Sequence, residues 1–326
     1  MAGNIFKIYI GFITYGNLTA KYLPYFLPSL KAQTYKDFKI LAVDNSEVAD
    51  NDNVKYIKNN FPEIDLKWPG DNLGFAKAFN LMITEAARAG AEYFLAINPD
   101  TALEYDALVK LVDAMDCNSE LGSATAKVLK WNFASQEKTN IIDSCGLKLL
   151  PGLRFVDYME GWSASADCEH EIIGVSGAAA IYRLSALEKV KQGVEYFDEL
   201  MFMYKEDCDL AYRLFLAGFK SKCVSQAVIY HDRSGAGAGA GAGDLATALN
   251  RKNKSRLIKQ WSFLNQQIIF IKYWRLQSPM NKIAIIWLEL KMLIFALFFE
   301  PYLLKEYFNI FKIKNKIKTH CDEAIK

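Results

Sequence analysis

Glu206, Asp207 and Asp209 place three carboxylates within four positions of the segment Tyr204-Lys205-Glu206-Asp207-Cys208-Asp209, just before a helical pattern whose apolar face includes Leu210, Leu214 and Phe215. The helix macrodipole favours acids at a helix start, so capping is the plain reading. Three carboxylates exceed what a cap needs, and their repulsion calls for a metal, a basic group or proton uptake, which makes a general base of one of them. Another carboxylate, Asp100 of Asn98-Pro99-Asp100, follows the apolar run Tyr93 to Ile97 at a position where a divalent cation with oxygen ligands could sit. The residues after it, Thr101-Ala102-Leu103-Glu104, also read as a capping box opening the next helix, so local capping by Asp100 or Thr101 stands beside the metal reading. His231 directly follows the apolar run Cys223 to Tyr230. A lone histidine is usually structural, but a neutral imidazole at a strand end can complete a metal's coordination.

The elements that must position these groups are legible in the first half. Apolar runs at Ile5 to Ile13, Phe38 to Val43 and Tyr93 to Ile97 alternate with helical patterns, which predicts βαβ units, a mostly parallel sheet and an α/β fold. Their carboxyl ends carry Thr14-Tyr15, Asp44-Asn45-Ser46 and Asn98-Pro99-Asp100, and ligands of open α/β sheets collect at such ends. From about Gly122 to Tyr182 the pattern loosens into short apolar runs; a helix is expected over Asp207 to Ala217 and a strand through Cys223 to Tyr230. Residues 235–243 alternate Gly and Ala, which offers no anchoring side chain and predicts a flexible loop. The chain beyond is helical in pattern, and the 17 residues from Ile283 to Phe299 are apolar except for Glu289 and Lys291. A span needs about 20 apolar residues, so an interfacial helix, or one packed on the catalytic body or a second subunit, is expected.

Hydrophobic residues make up 52% of the 326, which excludes disorder. No stretch near the start has signal-peptide character, so the expected location is cytoplasmic. The six cysteines form no CxxC pair, which argues against a zinc site and predicts free thiols. Residues 251–326 hold 15 Lys and Arg against 5 Asp and Glu, leaving 24 basic and 32 acidic residues before them. This basic tail is either a surface for anionic lipid or a phosphorylated substrate, or a solvated basic helix. No nucleic-acid partner is expected.

In order along the chain, Ile13-Thr14-Tyr15-Gly16, Val43-Asp44-Asn45-Ser46, Asn72-Leu73-Gly74-Phe75-Ala76 with Asn80, Asn98-Pro99-Asp100, Ser176-Gly177-Ala178, Phe197-Asp198-Glu199 with Tyr204 to Asp209, and His231 resemble family 2 of the inverting glycosyltransferases, in particular its rhamnosyltransferase-like branch. The resemblance covers roughly residues 5–260. It implies a GT-A (Rossmann-like) mixed sheet flanked by helices, with a catalytic domain over 1–234, whose nucleotide-binding half is about 1–120 and acceptor half about 121–234, and a C-terminal helical extension over 244–326. It assigns Thr14, Tyr15, Asp44 and Asn45 to base and ribose, Asp44 accepting from a pyrimidine imide. Asn72, Gly74, Phe75 and Asn80 would lie beside nucleotide and donor, Gly74 allowing close backbone approach.

The same resemblance assigns Asp100 to the metal, Mg2+ or Mn2+, with His231 on the same ion or its phosphates, and gives Asn98 an indirect part beside the nucleotide. Many relatives carry an aspartate where this chain has Asn98. Asp207 would be the catalytic base, Glu206 would orient the acceptor, and Asp209 would be a helix-start partner. Gly177 and Ala178 would leave room for the sugar, while Arg251 and Lys252, with Asn253, would close over the diphosphate. The implied donor is dTDP-rhamnose, carrying L-rhamnose, with a UDP-hexose or UDP-galactofuranose as the alternative. The acceptor would be a bacterial surface glycan or its lipid-linked precursor, met at the inner face of the membrane, and the C-terminal helices could pair two copies. A nucleotidyltransferase would need a Gly-rich, basic phosphate loop after the first strand, which Thr14-Tyr15-Gly16-Asn17 lacks. A non-catalytic nucleotide-binding module would not need the acids at 206–209.

Overall fold

A computed structural model describes residues 5–233 and 255–324 of the protein. The alternation read in the first half becomes β1 (Ile8–Thr14), α1 (Gly16–Ala20), α2 (Leu23–Lys31), β2 (Phe38–Asp44), α3 (Asp52–Asn60), β3 (Asp65–Lys67), α4 (Gly74–Arg88) and β4 (Tyr93–Ile97). These strands pair in parallel, with β1 between β2 and β4 and β3 beyond β2. Successive residues of a strand point to opposite faces. Thus Ile8, Ile10 and Phe12 pack with Leu23, Phe26 and Leu30 of α2 on one face, while Tyr9 meets Phe79, Met82 and Ile83 of α4 on the other. Burial on both faces is why these strands read as continuous apolar runs.

The second half changes the sheet from parallel to mixed. It adds β5 (Thr101–Leu103), α5 (Ala107–Asp116), β6 (Leu121–Asn132), β7 (Glu137–Ser144), β8 (Leu147–Leu150), β9 (Arg154–Asp157), β10 (Glu171–Ile172), β11 (Ala179–Arg183), α6 (Leu184–Val190), α7 (Glu206–Leu216) and β12 (Lys220–His231). The strand order is β10-β12-β6-β11-β4-β1-β2-β3, with β5 on β12 and β7 on β6, and β8 and β9 form a separate hairpin. Since β11 runs antiparallel to β4, the loop before β11 is carried to the carboxyl end of β4, where Asn98 to Asp100 lie.

The expected capping box at Thr101 to Glu104 is corrected. Thr101–Leu103 is a strand, antiparallel to β12 with His231 opposite Thr101, and the next helix begins at Ala107. Long-range pairing outweighs a local cap here, and that pairing is what carries His231 to Asp100.

Three helices close the chain: α8 (Arg256–Tyr273), α9 (Pro279–Phe298) and α10 (Lys305–Ala324). Ile268, Ile269 and Tyr273 of α8 pack on Cys208, Ala211 and Tyr212 of α7, so the C-terminal region leans directly on the helix that starts with Glu206 and Asp207. Among the described residues no helix is long and apolar enough to cross a membrane. The Gly-Ala tract at 235–243 lies outside the described residues, as do Arg251, Lys252 and Asn253.

Candidate active site

The pairing of β5 with β12 sets His231 Nε2 3.3 Å from Asp100 Oδ1. His231 Nδ1 is 2.8 Å from Asp143 Oδ2, at the end of β7. Burial alone would lower the imidazole's pKa, but the carboxylates of Asp100 and Asp143 outweigh it and raise it to about 10. Burial would raise Asp143, yet His231 and Arg233 hold it below the usual carboxylate range. Asp143 Oδ1 is buried without a hydrogen-bond partner among the described residues, and Asp100 Oδ1 makes no hydrogen bond there beyond its ion pair with His231. An orphaned buried carboxylate oxygen asks for a group to satisfy it. Two ligands at right angles on an ion with bonds near 2.1 Å stand roughly 3 Å apart, which the Asp100–His231 spacing approaches. Donation from Nδ1 to Asp143 would leave Nε2 free to ligate, a common second-shell arrangement. The residues present therefore fit a divalent cation.

At the other acid group, Tyr204 (φ +73°) and Lys205 (φ +69°) form a turn in the left-handed region that side chains rarely adopt. Asn265 of α8 braces it, its amide Nδ2 donating to the carbonyls of Met203 at 3.0 Å and Tyr204 at 2.6 Å. This turn opens α7 and sets the directions of Glu206 and Asp207. Asp207 Oδ2 accepts from the Gly177 backbone N–H at 3.0 Å, and Oδ1 accepts from its neighbour Cys208 N–H at 2.8 Å. Burial raises the Asp207 carboxyl above its ordinary value, more than these two donors lower it. Glu206 is 4% exposed and lies well above the glutamate range, through burial and then the neighbouring Asp207 charge. Its Oε2 and the Tyr182 hydroxyl are buried without hydrogen-bond partners among the described residues.

The two acid groups belong to one region. Asn98 N–H donates to the Ala178 carbonyl at 3.0 Å, and the preceding Gly177 N–H donates to Asp207. Tyr204 is pushed up to about 12 by burial and then by the charges of Glu206 and Asp100. Arg233 completes the rim, with Nε 3.1 Å from Asp143 Oδ2 and Nη1 2.9 Å from Asp157 Oδ2. Asp157 in turn adds to the upward push on Asp207. Sequence reading missed Asp143, Asp157 and Arg233, which have no local signature.

At the ends of β1 and β2 the carboxylate of Asp44 is turned inward. Its Oδ1 accepts from Thr14 Oγ1 at 3.0 Å and from Ser46 N–H and Oγ at 3.2 and 2.6 Å, and its Oδ2 accepts from Asn51 Nδ2. Asp44 is fully buried, and its carboxylate braces the ends of β1 and β2. Tyr15 and Trp68 present rings 38% and 42% exposed beside Ser46, which accepts from Gly16 N–H and, through its carbonyl, from the Trp68 indole. Trp68 was not singled out from sequence; an indole directly after a short strand carries no motif.

Asn45, Asn72 and Gly74 are knit together: Asn45 Nδ2 donates to the Gly74 carbonyl at 3.0 Å, and Asn72 Oδ1 accepts from Gly74 N–H at 2.9 Å. The reason for Gly74 is corrected. At φ +71° a Cβ would stand 2.4 Å from the Phe202 carbonyl, so the close approach is to the protein's own backbone. Asn80 is likewise redirected. Its side chain accepts from Tyr196 and Phe197 N–H and donates to the Phe197 carbonyl and Glu199, so it fastens the loop that leads to α7. Phe75 packs on Phe79 and Phe197 and is the first group a Cβ on Gly177 would meet, at 3.1 Å; Ala178 is buried.

Asp209, read as a helix-start partner, lies in the first turn of α7 and faces inward. It is paired with Arg213 Nε at 2.9 Å, with Lys272 Nζ at 2.5 Å and with the Tyr273 hydroxyl at 2.7 Å. The scattered cysteines also gain a neighbourhood: the buried thiols of Cys145, Cys168 and Cys223 lie within 4.8 Å of one another, so spacing along the chain did not preclude a cluster.

A family model described as Glycosyl transferase family 2 matches residues 9–190. The fold is similar to the crystal structure of GalNAc-T7 with UDP, GalNAc and Mn2+, with a TM-score of 0.54 and 12% sequence identity over 71% of this chain and 44% of that one. It is also similar to the mannosyltransferase PcManGT from Pyrobaculum calidifontis in complex with GDP-Man and Mn2+, with a TM-score of 0.51 and 12% identity over 99% of this chain and 87% of that one. The chain thus spans less than half the length of the GalNAc-T7 chain. The likeness to both is one of fold, the GT-A arrangement of a mixed sheet between helices. No curated protein matches the chain in sequence.

Proposed function

The chain belongs to glycosyl transferase family 2, and on that premise we propose that it is a metal-dependent, inverting enzyme moving a sugar from a nucleotide diphosphate donor to an acceptor hydroxyl. The observation that carries this reading is the link from Asn98 through Ala178 and Gly177 to Asp207, which ties the Asp100–His231 pair and the Glu206–Asp207 pair to one site. Asp207, raised by burial yet held by two backbone donors, is suited to take the acceptor proton as the hydroxyl attacks the anomeric carbon. A single displacement inverts that carbon. Glu206, its carboxyl raised by burial and with an unpartnered oxygen, is suited to orient a hydroxyl of acceptor or sugar. A cation held by Asp100 and His231 would offset the charge of the departing diphosphate. Asn98, beside Asp100, would face the nucleotide, and Tyr15 would flank the base over the floor built by Thr14, Asp44 and Asn45. Asn72, Gly74, Phe75 and Asn80 would shape the donor side through the loop they hold, and Gly177 and Ala178 would line the sugar's place. The catalytic domain is taken as 1–234, in halves of about 1–120 and 121–234.

The ordered motifs that resemble the rhamnosyltransferase-like branch favour L-rhamnose from dTDP-rhamnose, with UDP-hexose or UDP-galactofuranose as alternatives. The acceptor would be a bacterial surface glycan or its lipid-linked precursor. The reading is tested by nucleotide release from a panel of nucleotide sugars with Mg2+, Mn2+ or a chelator. One donor class should be consumed only with metal, and equal turnover with and without chelator would remove the cation from the mechanism.

A further inference from the structure

α9 turns an apolar stripe outward. Ile283, Trp287, Leu290, Ile294, Leu297 and Phe298 are 62, 60, 43, 46, 51 and 77% exposed, at spacings of three and four that align them on one helix face. The stripe runs about 22 Å along the axis. The other face is committed to the protein: Ile285 and Ala296 are buried, and Glu289 accepts from Gln267 of α8 at 2.6 Å and Tyr307 of α10 at 2.5 Å. Of the two charges that interrupt the run, Glu289 therefore faces inward. Lys291 sits at one margin of the stripe, 5.8 Å from the Trp287 ring. Lys282, seven residues before Glu289, lies on the flank it shares with that residue, 5.7 Å from the Trp274 ring. On α10, Phe308 and Phe311 are 70 and 68% exposed, followed by exposed Lys312, Lys314, Lys316 and Lys318.

An apolar stripe of this length on a soluble surface marks an interaction site. We propose that it is a docking face for an anionic lipid bilayer, with α9 lying in the interfacial plane. Charge selects this occupant. Lys291 at the margin of the α9 stripe and, on α10, Lys312 and Lys316 on one flank of the exposed Phe308 and Phe311 with Lys314 and Lys318 on the other would meet anionic headgroups, whereas a second copy would bring the same lysines against each other. Indole rings beside lysines are the combination that settles at headgroup depth, the apolar stems lying in the acyl boundary and the ammonium groups in water. No helix among the described residues can cross the bilayer, so contact would be from one side. This inference stands apart from the proposed activity and is read by binding alone.

The test is flotation of the full chain with vesicles of phosphatidylcholine alone or with about one-third phosphatidylglycerol. The protein should float with the anionic vesicles and release in high salt. The variant Trp287→Glu/Ile294→Glu changes outward side chains and should keep its circular dichroism and melting midpoint while partitioning about tenfold less or worse. Lys312→Gln/Lys314→Gln/Lys316→Gln should lose roughly fivefold per lysine. Failure to float with anionic vesicles, or unchanged flotation of the Trp287→Glu/Ile294→Glu variant, overturns the proposal. A dimer in solution that does not float, and that this variant converts to monomer, would give the face to a second copy and equally overturn it.

Discussion

Lys272 Nζ lies 2.5 Å from Asp209 Oδ1 and 2.7 Å from Asp198 Oδ2, and none of these three side chains is exposed. Asp209 is two residues beyond Asp207 on α7, and Lys272 belongs to α8, so this contact ties the C-terminal region to the helix carrying the proposed base. Arg213 on Asp209 and His320 on Asp198 complete a buried charge network. Removing one partner of such a set leaves an uncompensated charge in a medium that cannot solvate it.

Lys272→Met is therefore expected to cost about 3–5 kcal/mol of unfolding free energy. Urea denaturation checks this, and an unchanged midpoint would show that the network holds nothing.

The raised Glu206 carboxyl gives a stability signature with a defined sign. Its folded value lies well above the unfolded one, so folding takes up a proton. The contribution is complete below the unfolded value of about 4.3 and is lost as pH rises towards the folded value. Glu206→Gln, which mimics the protonated form, should gain stability relative to the parent as pH increases. Melting midpoints of the two proteins across pH 4 to 9 test it, and parallel curves would contradict a buried, protonated Glu206.

Asp143 Oδ2 fixes the His231 ring from behind, through Nδ1. Asp143→Asn should raise the Mn2+ concentration for half-maximal nucleotide release by about 10–100-fold, with much of the rate restored at saturating Mn2+. A lowered rate that no Mn2+ concentration rescues would give Asp143 some other role.

Much of the parallel part of the sheet was legible because its strands are buried on both faces and end in polar residues, so periodicity and punctuation agree. The strands β1, β2 and β4 and helix α7 fall close to where the apolar runs and the acidic helix start put them. What was not legible depends on pairing between distant segments. Thr101 to Glu104 satisfies the local grammar of a cap, and only β12 decides that it is a strand. Asp143, Asp157 and Arg233 sit on or beside strand ends with no motif around them, and their convergence on His231 and Asp207 is a property of the mixed sheet. Lys272 lies in an apolar helix where a lysine reads as a solvated charge, whereas the fold buries it against two carboxylates. Asn80 and Gly74 also have tasks within the chain that their motif did not show, against Phe197 and Phe202.

The central claim is that Asp207 takes the proton of the acceptor hydroxyl that attacks a donor held beside Asp100. It is tested most directly by measuring metal-dependent nucleotide release for Asp207→Asn and Asp100→Asn next to the parent, over a Mn2+ titration, with the donor that the parent consumes. The account predicts that Asp207→Asn slows release by about 10²–10⁴-fold at an unchanged half-saturating Mn2+, while Asp100→Asn moves the Mn2+ requirement upward. Release by Asp207→Asn at the parent rate would contradict it.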